Sequence, residues 1–61
     1  MYEYEIYLRT YSNYTLLAKV LNLKDALLFM GAYMSNNGEK YRKEFLSHNM
    51  DILLRQKEKA E

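Results

Sequence analysis

Ser47, His48 and Asp51 bring a hydroxyl, an imidazole and a carboxylate into one short stretch of a 61-residue chain. Nucleophilic catalysis would need these three groups to converge beside an oxyanion hole and a pocket. Ser47 and His48 are adjacent, and adjacent side chains point apart. His48 therefore reads as a surface loop residue, and no catalytic residue is assigned. Glu3 and Glu5 stand two apart, a spacing that could serve acid–base work or hold a hard cation. They alternate with tyrosines, so the plainer reading is the solvated face of a strand. Lys40, Arg42 and Lys43 form one basic cluster, and Arg55, Lys57 and Lys59 form another. Both are interleaved with acids and read as solvated faces. Glu39 with Lys43, and Asp51 with Arg55, are four apart, which suits pairing on a helix surface wherever those segments are helical.

Metal chemistry has little to work with. The chain has no Cys and one His, so neither a thiolate site nor a multi-histidine site is available within it. Small oligomeric tautomerases use an N-terminal Pro as base, and this chain has no Pro. The expectation is no enzyme, no cofactor and no metal.

Tyrosine is the unusual residue, at positions 2, 4, 7, 11, 14, 33 and 41. Five of the seven fall in residues 2–14. Residues 2–11 alternate, with Tyr2, Tyr4, Ile6 and Leu8 on one face and Glu3, Glu5, Tyr7, Arg9 and Tyr11 on the other. Period two with aromatic and β-branched residues is a strand signal. The uncharged face should be the core face. Exposed aromatics on the second face have three readings. They can stack bases. They can anchor a protein interface, where Tyr and Arg are enriched. They can be ordinary cross-strand pairs. Glu3 and Glu5 on that face oppose phosphate, so nucleic acid is not the expected partner.

Residues 11–14 carry polar turn formers at Ser12 and Asn13, so residues 14–21 can return as a second strand. Leu16, Val20, Leu23, Leu27, Met30 and Met34 also follow a 4-3-4-3-4 helical spacing. The hairpin is preferred because Asn22 and Asp25 mark a fresh helix start, with Asn22 as N-cap and Asp25 at N3. The helix is expected over residues 23–35. Asn36, Asn37 and Gly38 should end it, since Asn and Gly tolerate the left-handed conformation that closes helices. Residues 26–34 hold no charged side chain, so the helix is apolar all round and must be covered on every side. Gly31 is either tolerated there or small so that another backbone can approach.

Tyr41 and Phe45 are four apart and favour a short helical turn. Residues 50–57 fit a strand through Ile52, Leu53 and Leu54, or a helix capped at Asn49. A strand is preferred, because three strands are the usual minimum for an independent sheet. The expected fold is thus α+β: an antiparallel hairpin, one apolar helix and a short closing strand (ββαβ). A strand followed by a helical hairpin is the alternative. Residues 1–61 form one small domain, with residues 58–61 as a frayed tail.

About 60 residues bury only about 60% of the unfolded chain's surface, so such a domain is marginal alone. With disulfide and metal staples gone, oligomerisation remains. One side of the helix should pack on its own sheet and the other on a second copy. The expected partners are a second copy, giving a homodimer, and another protein. The interface is expected at Leu27, Leu28, Met30, Gly31 and Met34, with Tyr7, Arg9 and Tyr11 on the sheet. Net charge is +1, which argues against a strong phosphate-binding field. The first residues lack a basic region and the apolar run is too short to span a membrane, so a soluble, cytoplasmic protein is expected.

Two resemblances of layout bear on function. A strand followed by two helices resembles the ribbon-helix-helix repressors, whose dimers insert paired strands into the major groove. That resemblance implies a small dimeric DNA-binding regulator, with Glu3, Glu5, Tyr7 and Arg9 facing the groove. A hairpin, then Leu21, Leu23 and Asp25 opening a helix, then a final strand resembles the small phage inhibitors of uracil-DNA glycosylase. Those carry an aromatic–acidic pair after the Asp. Here Ala26 and Leu27 stand in its place, so the activity is not carried over. The reading preferred over both is a small non-enzymatic protein-binding module, an inhibitor or adaptor of the kind mobile elements encode.

Overall fold

The computed structural model describes residues 1–59. Strand β1 (Tyr2–Thr10) turns into β2 (Asn13–Val20). Helix α1 (Leu23–Asn37), a short helix α2 (Arg42–Leu46) and strand β3 (Met50–Glu58) follow. The sheet is antiparallel with order β2-β1-β3, so the first strand lies in the middle. The fold is α+β, built on the expected hairpin, helix and closing strand. The alternative of a strand followed by a helical hairpin does not form, because residues 50–58 pair along the whole of β1. The ribbon-helix-helix layout fails for the same reason. It needs a first strand free to pair with a partner's, and β1 is flanked on both sides by its own chain.

The alternation of β1 decides the two faces. Ile6 is fully buried, on the face that also carries Tyr4, Leu8, Met50 and Ile52. Helix α1 packs over β1 and β2 on this side, and α2 packs on β3. Tyr2 shares the face by register but is largely exposed, so only Tyr4 of the expected pair joins the core margin.

Asn22 caps α1 as its residue type requires, its side-chain oxygen accepting from the Asp25 N–H at 2.8 Å. The other end departs from expectation. The helix runs on to Asn37, and Gly38 is right-handed, with φ −60° and ψ −39°. Glycine is needed there for space: a Cβ would stand 2.5 Å from the Met34 carbonyl oxygen.

The hairpin turns through Tyr11 and Ser12. Tyr11 has φ 57°, the left-handed region that non-glycine residues rarely adopt. The tail expected to fray contains Glu58, which ends β3, and Lys59, whose N–H donates to the Met1 carbonyl at 2.9 Å. Its last two positions, 60 and 61, lie outside the described residues. Tyr11→Gly relieves the left-handed strain while removing an exposed side chain. Urea unfolding should show a gain of about 0.5–1 kcal/mol; a loss would show that the ring contributes packing the fold needs.

Candidate functional site

The face of the sheet away from α1 is built in rows set by the strand registers. Leu16, Tyr7 and Leu53 form one row, and Tyr14, Arg9 and Asp51 the next. Lys19, Glu5 and Arg55 form a third. The register of β2 slips by one residue between the partners of Ile6 and Tyr7, leaving Leu17 unopposed. That bulge carries Leu16 and Tyr14 onto the outer face. An open cleft of about 510 Å³ lies there, lined by Tyr7, Tyr14, Leu53, Leu54 and Arg55. It combines apolar walls with two phenols and a guanidinium.

Arg9 was expected to offer its charge to a partner. Its guanidinium is bound by groups of its own chain at the sheet's surface. Nη1 donates to the Tyr11 carbonyl at 2.6 Å and Nη2 to the His48 carbonyl at 2.6 Å, and Nη2 also pairs with the Asp51 carboxylate. Among the described residues, Tyr11 and His48 are the two non-glycine residues with positive φ. One side chain thus ties together both strained turns at this end of the sheet. The Tyr11 N–H adds a bond to the Asn49 carbonyl at 2.7 Å. Asp51 would face Arg55 only on a helix; in the strand preferred for this segment it lies opposite Arg9.

Glu5 also departs from the solvated face expected for it. It is only 5% exposed. The Tyr7 hydroxyl donates to its Oε1 at 3.1 Å, and Lys19 Nζ stands 4.0 Å from Oε2. On a central strand the long side chains of both neighbours, Lys19 and Arg55, flank it. Burial of a carboxylate is tolerable where it is hydrogen-bonded and faced by cations.

On α1 the expected interface residues divide. Leu27 and Leu28 are 55% and 63% exposed, and Gly31 is exposed with nothing within 4 Å of where its Cβ would stand. Met30 and Met34 are half-buried on the inward side with Ala26, so they belong to the helix's own packing and not to its back. Tyr7 lies on the outer sheet face as expected, whereas Tyr11 has left the strand for the hairpin loop. Leu16, Tyr14, Leu53 and Arg55 complete the outer face and were not singled out as site residues. Ser47 donates to the Lys43 carbonyl at 2.8 Å, and neither it nor His48 lines the cleft.

No protein-family model matches this chain, and no curated protein or solved structure is significantly similar to it. No helix among the described residues is long and apolar enough to cross a membrane.

Arg9→Lys keeps the charge but cannot span two carbonyls and a carboxylate with a planar fork. Chemical denaturation should show a loss on the order of 1–2 kcal/mol. Unchanged stability would mean that the clamp contributes nothing beyond charge.

Proposed function

We propose that the chain is a small non-enzymatic protein-binding module, an inhibitor or adaptor, that works in the cytoplasm as a homodimer. It acts through the back of α1 and the Tyr-bearing outer face of the sheet. The observation that carries this reading is the exposure of Leu27 and Leu28 on a helix whose opposite side already packs on its own sheet. Leu21 and Leu23, at the start of α1, are exposed as well, and Leu23 stands one helical turn before Leu27. Single exposed leucines are ordinary, but a contiguous apolar patch marks an interaction site.

The burial inventory supports the same reading. Among the described residues the buried hydrophobic side chains are Ile6, Ala26 and Met50. The accessible surface is 4721 Å², against about 4200 Å² expected for a folded monomer of this mass. The radius of gyration is 12.4 Å, against about 10.5 Å for a compact domain of this length. The fold is thin and open, and the excess surface is partly leucine. Association that covers it would supply the burial that the single chain lacks.

The test is differential capture. Wild-type protein and the Leu27→Ser/Leu28→Ser double variant are used as paired baits. A protein retained by the first and not the second is identified, purified and titrated against both. The expected result is an unchanged fold by circular dichroism and binding weakened about 100-fold or more, since loss of two apolar anchors is worth at least about 2.7 kcal/mol. Equal affinity for both baits would show that these leucines are not a docking surface.

A further inference from the structure

Strand β3 is bonded to β1 on one side through nine unbroken pairs, from Tyr2 with Glu58 to Thr10 with Met50. Its other side carries no strand. Outside that ladder, no β3 residue makes a backbone hydrogen bond among the described residues. The opposite edge, β2, is interrupted by its bulge, a device that discourages further pairing. β3 has no such interruption and carries Leu53 and Leu54 partly exposed at its centre. An open edge of this kind is a template for another strand.

The sequence of β3 fits its own copy. A two-fold axis perpendicular to the sheet keeps outer face with outer face, so the axis must pass through a residue. An axis at Asp51 sets Asp51 against itself, and one at Arg55 sets Arg55 against itself. Both oppose like charges, which destabilises a sheet. An axis at Ile52 places Asp51 against Leu53. An axis at Leu54 also sets Asp51 against Lys57, but it places Leu53 against Arg55 and Ile52 against Gln56, apolar against polar. An axis at Leu53 is different. It sets Asp51 of each copy against Arg55 of the other, Ile52 against Leu54, and Leu53 against itself. Charges meet their opposites twice and apolar residues meet apolar residues.

The geometry points to an antiparallel β3–β3 pairing of two copies about Leu53, giving a six-stranded sheet of order β2-β1-β3-β3-β1-β2. This inference rests on the homodimer reading and moves the second copy from α1 to the sheet edge. The Asp51 carboxylate, held on one side by Arg9, has lone pairs free for a second guanidinium. Arg55 lines the outer-face cleft, so the second copy's Asp51 becomes part of that cleft's wall. Both α1 helices then stand on one side of the joined sheet with their leucine backs open.

The chain has no cysteine, so single engineered ones report cleanly. Directly opposed residues have Cβ atoms about 4.5–5.5 Å apart, close enough for a disulfide after slight adjustment. Leu53→Cys should cross-link into a covalent dimer under mild oxidation, and Leu28→Cys on α1 should not. Arg55→Glu should raise the dissociation constant at least about ten-fold by light scattering, with Arg55→Lys close to wild type. Cross-linking at Leu28→Cys but not Leu53→Cys would overturn the edge pairing and leave the homodimer standing. Monomeric mass for wild type at every concentration, with neither cross-link, would remove both.

Discussion

Coverage is the constraint on which the rest of this structure depends. A helix is about 10 Å across, whereas three strands about 4.8 Å apart occupy about 14 Å. One helix can therefore shield about two strands. Helix α1 lies over β1 and β2, and the five residues of α2 pack on β3. Burial follows that arithmetic. It is complete at Ile6 on the central strand and nearly so at Met50 beside α2, and it fades along β3 toward Glu58. The surfaces left open are the back of α1, the outer sheet face and the β3 edge. These are the surfaces through which a module of this kind would act.

Polar contacts hold the open frame in shape where apolar packing is thin. The Arg9 clamp gathers the hairpin turn, the loop before β3 and the Asp51 carboxylate at one end of the sheet. Both turns place a non-glycine residue in the left-handed region, at Tyr11 and His48. Their carbonyls are the ones that accept hydrogen bonds from Arg9, so strain and its compensation sit together. At the other end of the outer face, Glu5, Tyr7 and Lys19 form a second small network. The two networks bracket the apolar row of Leu16, Tyr7 and Leu53.

Much of the architecture is legible in the sequence. The alternation of β1, the polar turn, the Asn22 cap and the Tyr41–Phe45 spacing each report a local preference, and local preference decided those elements. The candidate site is less legible because it depends on register. The bulge at Leu17 is invisible in a Leu-Leu pair, yet it decides that Leu16 and Tyr14 face outward. Arg9 looks like a free cation until β3 brings Asp51 opposite it, forty-two residues away in sequence. Met30 and Met34 look equivalent to Leu27 and Leu28 within an all-apolar run. Only the position of the sheet separates the inward pair from the outward one. Gly38 looked like a left-handed cap, whereas the close approach of the Met34 carbonyl is what requires it.

The central claim is that stability of this fold is shared between copies. Linkage makes that directly measurable, because a folded state completed by association is favoured by mass action. The decisive measurement is the thermal unfolding midpoint by circular dichroism over a roughly thousand-fold range of protein concentration. A midpoint that rises steadily with concentration is the predicted result. A midpoint that stays constant across the range would contradict the account, and would show that the single chain is complete in itself.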